Sequence, residues 1–234
     1  FNNINMWTLW LKRVIYATIF AIVISFSLFC IYYTESDVSG TSMVPTLNSS
    51  EVDDHVYISK TKYTYSDIVV VDTHDSAVGK IIKRVIGMAN DRIGLIKIDN
   101  EYMLTLNNRV LYEDYLYKKT GAYSGDTKNE YGMAHYARCF ESLYEQGLAE
   151  INADGEYYVI VPEDSVFILG DNRAVSVASE THGVYACKDI VGKVEYIRSG
   201  KTPKWWFVLR VVLSNGSKYG KYNGYNLCDI NANW

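Results

Sequence analysis

Twenty consecutive residues without a charge, Val14 to Tyr33, constrain this chain more than any other feature. At 1.5 Å of rise per helical residue such a run covers about 30 Å, the thickness of a bilayer's hydrocarbon core. A cleavable leader carries a shorter apolar run, roughly 7–15 residues, that ends at a small-x-small site. The sequence after this run, Thr34-Glu35-Ser36-Asp37, is a poor context for such a site. Twenty uninterrupted apolar or weakly polar residues is also long for the core helix of a soluble domain. Residues 1–34 are therefore expected to be a short stub followed by a retained transmembrane anchor, with the lipid bilayer as partner. Lys12 and Arg13 precede the run, while Glu35 and Asp37 follow it. The positive-inside rule then keeps the N-terminus in the cytoplasm and puts the rest outside, as a single-pass protein of the cell membrane.

The remainder is long enough for a real core in one or two domains. With 21% charged and 48% apolar residues and a formal net charge of −4, the composition argues against disorder and offers nothing to attract nucleic acid. Tyrosine is common at 21 residues and proline scarce at three, which favours a strand-rich body. The four cysteines, Cys30, Cys139, Cys187 and Cys228, form no C-x-x-C pair and have no histidine at ligand spacing, so no metal site is expected. Cys30 lies in the anchor; a disulfide between two of the other three is left open.

Beyond the anchor, continuous β-branched runs at 67–72 and 80–86 read as strands, as do 157–161, 166–169 and 190–194. They predict a mostly β catalytic core formed by residues 35–99 and 156–200. Between them, Met133, Tyr136, Ala137, Phe140, Leu143, Tyr144 and Leu148 recur at three- and four-residue spacings, the signature of an amphipathic helix. That helix is expected to belong to a smaller α+β insertion over 100–155, with a polar loop at 121–131. In the C-terminal segment, 201–234, Arg210 interrupts the apolar residues 205–213, a stretch too short to span a bilayer. A strand is expected there, with a membrane-interfacial element as the alternative.

Four blocks follow the anchor in order: SGTSMVPTL at 39–47, SDIVV at 66–70, KRVIG at 83–87 and GDNR at 170–173. On these blocks the chain resembles the type I signal peptidase family, which carries an SM-x-PTL serine block, a GD-I-V-type strand, a KR-V-I-G block and a GDNR block in this order behind a membrane anchor. The fragments LYEDY at 111–115 and VPEDSVFIL at 161–169 extend the resemblance over most of 12–197, thinning between 117 and 156. It implies a signal-peptidase-like β core and a serine endopeptidase with a Ser42–Lys83 dyad. Such an enzyme removes signal peptides from preproteins, after a small-x-small site, near the translocation channel, without cofactor or metal. By position-matching, Met43, Leu47 and Ile82 line the substrate pockets, and Ser176 is a supporting residue bonded to the lysine amine.

The chemistry of these residue types agrees. A serine hydroxyl is a poor nucleophile without a base in hydrogen-bond reach. Lysine serves only when neutral, far below its ordinary pKa of about 10.4, and burial among apolar groups drives it there. Strand alternation puts Lys83 on the face of Ile81 and Val85. Ser42 lies in a Ser/Gly/Thr-rich loop closed by Pro45, where Gly40 permits close backbone approach to a substrate. Its backbone N–H is one implied oxyanion donor, and the second, with Gly40 where many members have serine, stays open between Thr41 and Ser39. Asp171, Asn172 and Arg173 read as a turn bracing the active-site strands.

Two departures stand out. Ala178 and Glu180 replace an Asp–Arg pair usual in the family, and GMAND at 87–91 replaces G-L-P-G-D. They keep alive a different class of function, a catalytically inactive, membrane-tethered peptide-binding or scaffold protein of the same fold. Self-cleaving Ser–Lys repressors carry a DNA-binding domain where this chain has an anchor. Endomembrane relatives use a histidine base, yet none of His55, His74, His135 or His182 occupies the Lys83 block.

Overall fold

The computed structural model describes residues 2–48, 52–98, 101–111, 113 and 133–213. Helix α1, Asn2–Tyr32, carries the apolar run, and a helix long and apolar enough to cross a membrane extends over Met6–Tyr32. From Met6 to Tyr32 its side chains are almost all exposed, as lipid-facing residues are and core-helix residues are not. The chain passes straight from α1 into strand β1, Thr34–Asp37.

The body is two antiparallel sheets. The larger contains β1, β2 (His55–Ser59), β3 (Ile68–Asp72), β4 (Lys80–Gly87), β10 (Ser165–Leu169), β11 (Tyr185–Ala186) and β12 (Ile190–Arg198). Its order is β1-β2-β12-β3-β4-β10-β11. The smaller contains β5 (Arg92–Ile98), β6 (Glu101–Leu106), β7 (Arg109–Val110), β8 (Glu150–Ile151) and β9 (Tyr157–Ile160), in the order β7-β6-β5-β9-β8. The mostly β expectation holds. The smaller sheet is larger than the 100–155 insertion, however, because β5 and β9 pair with each other rather than with the main sheet.

Helix α2, Met133–Glu145, covers the smaller sheet. Tyr136, Phe140 and Leu143, on one face, are fully buried against Ile93, Leu104 and Leu106. Each such side chain contributes about 1.5–3 kcal/mol through removal from water. Leu148, grouped with this helix by its spacing, lies beyond the end of it. The Leu148 N–H bonds to the Leu143 carbonyl and the Gly147 N–H to the Tyr144 carbonyl, a paired closure that stops the helix. The polar stretch at 121–131 lies outside the described residues.

Two further elements matter for function. The short helix α3, Ser179–His182, follows the GDNR loop. The segment read as a C-terminal strand is instead helix α4, Lys204–Leu213. Its residues are good strand formers, but Phe207, Val208 and Val211 fall on one helical face and are buried against Phe29, Tyr57 and Tyr196, so packing overrides propensity. Cys30, Cys139 and Cys187 are free thiols, and neither described cysteine of the body is in a disulfide.

Candidate active site

Ser42 sits half-buried in the loop between β1 and β2. The loop is pinned from below. Met43 and Leu47 are buried in a cluster with Val38, Val56, Ile58 and Ile68, against which Ile82 packs with part of its surface open. Asn48 closes it from the side, donating through Nδ2 to the Val38 and Gly40 carbonyls. The Gly40 backbone is left-handed (φ +82°), and a Cβ there would meet nothing within 4 Å, so the approach to Ser42 on that side is open.

Lys83 comes from the middle of β4, opposite Val69 of β3. It shares a sheet face with Ile81 and Val85, as alternation predicts, and that face carries a buried cluster of Val69, Val71, Val85, Val166 and Ile168. Only 3% of Lys83 is exposed. Its Nζ lies 2.9 Å from Ser42 Oγ and 3.1 Å from the Ile82 carbonyl oxygen. Desolvation lowers its pKa from 10.5 to about 8, against a smaller upward pull from Glu180 and Asp171. A fraction of the amine is therefore neutral, and basic, near pH 7.

The GDNR turn leaves β10 beside Lys83, because Leu169 pairs with Arg84 across the sheet. Arg84, on the opposite face from Lys83, grips the buried Asp171 with two hydrogen bonds (Nε to Oδ1, 2.7 Å) and donates to the Ser66 carbonyl. Asn172 binds the nucleophile loop directly: its backbone N–H donates to the Ser42 carbonyl and its Nδ2 to the Thr41 carbonyl, each at 3.0 Å. Arg173 holds the turn from behind through Glu113, with two hydrogen bonds, and through the Gly170 carbonyl. Brace is thus the correct description of these residues. Glu113 escaped the sequence reading because nothing local links it to a guanidinium sixty residues away.

Two expectations change. Ser176 is buried beside the site, but among the described residues its Oγ has no hydrogen-bond partner, and the lysine amine bonds Ser42 and Ile82 instead. The hydroxyl sits against Gly170, where an added Cβ would also collide with the Ser42 carbonyl oxygen. Glu180 was read only as a departure, yet it is fully buried within electrostatic reach of Lys83 and Arg173. Its Oε1 accepts the Ala178 N–H at 3.0 Å, and its Oε2 has no hydrogen-bond partner among the described residues. Desolvation raises its pKa to about 7. The other departure is conformationally quiet. Asn90, where the family usually has glycine, holds the left-handed turn at φ 69°, a region asparagine tolerates, and Asp91 is kept in place by the Met88 N–H, the Tyr65 hydroxyl and Asn107.

Comparison with known proteins identifies the family. Residues 7–198 match the family described as signal peptidase, peptidase S26. Among curated relatives, Signal peptidase I P of Bacillus subtilis subsp. natto is 31% identical over 196 residues, covering 80% of this chain and 86% of the relative. Signal peptidase I of Streptococcus pneumoniae R6 is 29% identical over 191 residues, covering 77% of this chain and 85% of the relative. A solved signal peptidase I from Enterococcus faecalis V583 aligns at 20% identity with a TM-score of 0.40, over 58% of this chain and 99% of that one. With a match that runs from the apolar helix through the serine, lysine and GDNR blocks to the last strand, the chain belongs to the signal peptidase S26 family.

Proposed function

We propose that this chain is a type I signal peptidase whose Ser42–Lys83 dyad removes signal peptides from exported preproteins after a small-x-small site. The observation that carries this reading is the 2.9 Å contact between Ser42 Oγ and a lysine amine that is 3% exposed. Neutral Lys83 takes the Ser42 proton as the oxygen attacks the scissile carbonyl, and the Ser42 backbone N–H supports the developing oxyanion. The amine then returns the proton to the leaving peptide nitrogen, giving an acyl-enzyme. Lys83 next draws a proton from water as its oxygen attacks the ester carbonyl, and gives that proton to the departing Ser42 oxygen, which frees the acid product and restores the neutral amine. No step calls for a metal or cofactor.

The substrate lies extended across the open side of the loop, with small side chains entering shallow apolar pockets walled by Met43, Leu47 and Ile82. Of these, Ile82 offers the accessible surface. Helix α1 holds the site close to the bilayer, on the non-cytoplasmic face and near the translocation channel from which preproteins emerge.

The test is incubation of the purified protein with a preprotein, comparing wild type with Ser42→Ala and Lys83→Ala. Cleavage by wild type alone is expected. Equal product from all three defeats the dyad, and no product from any supports the tethered-binder reading instead.

A further inference from the structure

Helix α4 lies along the half of α1 nearest the sheets, and runs antiparallel to it. Lys204, at the start of α4, pairs with Glu35 just past the end of α1, and Arg198 meets the same carboxylate at 2.7 Å. Further along, Trp205, Val208 and Val212 border a groove whose other wall is Ile22, Val23 and Phe26 of α1. Phe207 stacks on Tyr57 with ring centroids 5.2 Å apart, and Phe29 packs onto the same Tyr57 ring. Ten residues of helix extend about 15 Å, half of a hydrocarbon core of about 30 Å. Ile22 stands near the middle of the apolar run, so α4 descends beside α1 from the bilayer surface toward its midplane.

We propose that α4 is a second membrane element, a half-spanning helix immersed with α1 in the bilayer leaflet that faces the sheets. The proposal rests on the reading of α1 as a membrane span: whatever packs on Ile22–Phe26 lies at the depth of those residues. The side chains of α4 suit that depth. Trp205 and Trp206, exposed at 62% and 42%, stand on the first turn at the level of Lys204 and Glu35, where indole rings favour the headgroup boundary. Leu213, exposed at 72%, is at the deep end. Arg210 is the one charge of α4 below its first turn, and it points upward. Helical side chains lean toward the helix N-terminus, here the surface, and the Arg210 guanidinium sits 5.6 Å from the centroid of Trp206 one turn above it. A helix satisfies its interior backbone groups internally, as a segment in lipid must.

The test places the full chain in phosphatidylcholine vesicles whose acyl chains carry bromine, a short-range quencher of indole emission, either near the glycerol end or near the chain terminus. One variant keeps Trp205 and Trp206 with Trp7, Trp10 and Trp234 replaced by phenylalanine. A second has all five tryptophans replaced and Phe20→Trp as a reporter on the exposed face of α1. Far-UV circular dichroism of both must match the parent. Emission from Trp205 and Trp206 is expected to fall at least twofold with the shallow bromine and less with the deep one, and the Phe20→Trp reporter is expected to show the reverse order. Quenching of that reporter with undiminished Trp205 and Trp206 emission overturns the α4 proposal and leaves the anchor standing. If neither is quenched, the anchor reading fails and the proposal fails with it.

Discussion

Gly170 and Ser176 approach so closely that a methyl group on Gly170 would fall 2.1 Å from Ser176 Oγ, 2.4 Å from Ser176 Cβ and 2.5 Å from the Ser42 carbonyl oxygen. The GDNR turn therefore touches the nucleophile loop with no room for a side chain. Gly170→Ala is expected to push Ser42 away from Lys83. Overpacking of this kind costs about 1–3 kcal/mol in stability, and a displacement of about 1 Å at a reacting group costs on the order of 100-fold in rate. Thermal unfolding and kcat/KM measured together check this. Wild-type activity in the alanine variant would show that the turn has slack the structure does not display.

The pH dependence follows from Lys83. Its pKa of about 8 predicts that kcat/KM falls tenfold per pH unit below about 8, as the amine takes up its proton before substrate arrives. The same group makes stability depend on pH. Its folded value lies below its ordinary 10.5, so between about 8 and 10.5 the unfolded chain binds more protons and stability rises with pH. The full difference corresponds to roughly 3 kcal/mol. Lys83→Met should abolish cleavage and remove that rise in stability. A rate limb centred near pH 6 in wild type would point to a histidine base instead.

Glu180 supplies a finer test. Its carboxyl faces Lys83 and Arg173, with Cys139 of α2 and Tyr185 of β11 also within its field. Ionised, it favours the Lys83 ammonium and so weakens the base at neutral pH. Glu180→Gln keeps the shape and removes the charge, and the acid limb of kcat/KM is expected to move to lower pH by several tenths of a unit. Stability should change as well. The folded pKa of Glu180 is raised above its ordinary 4.5 to about 7, so wild type loses stability as pH rises across that window, and the glutamine variant should not. A limb that stays in place, or moves upward, would sink the electrostatic link between the two residues.

Much of the site is legible in the sequence, and the reasons are local. Lys83 sits in an alternating strand, so its face could be read from Ile81 and Val85 alone. Helix α2 was legible because Tyr136, Phe140 and Leu143 repeat at helical spacing. What escaped depends on distant partners. The run at 157–161 reads as a strand by composition, but which sheet takes it is decided by its pairing with Arg92–Gly94 of β5. Residues 205–213 have strand-like composition and become a helix because α1 offers a surface to pack on. Ser176, placed beside the site, packs its hydroxyl against Gly170 instead of reaching the lysine amine, a contact set by tertiary packing that no local pattern shows.

The buried pair of Arg84 and Asp171 gives the clearest stability prediction. Both side chains are wholly buried, and they join the strand that carries Lys83 to the turn that holds Ser42. Asp171 also accepts from the Thr46 hydroxyl of the nucleophile loop, so one carboxylate ties three segments together. Asp171→Ala takes away the carboxylate that the Arg84 guanidinium grips, and removing one partner of a buried pair costs about 3–5 kcal/mol. Replacing both charges at once, as in Arg84→Met with Asp171→Leu, removes the uncompensated charge along with the pair. Its cost should fall well below the sum of the two single variants. Denaturant midpoints for the two single variants and the double variant measure the difference. The double variant should regain stability more readily than activity, because apolar side chains fill the space but cannot give Thr46 the acceptor that orients the Ser42 loop. Additive losses would mean that the two charges act independently, and the link between strand and loop would then have to lie in Asn172.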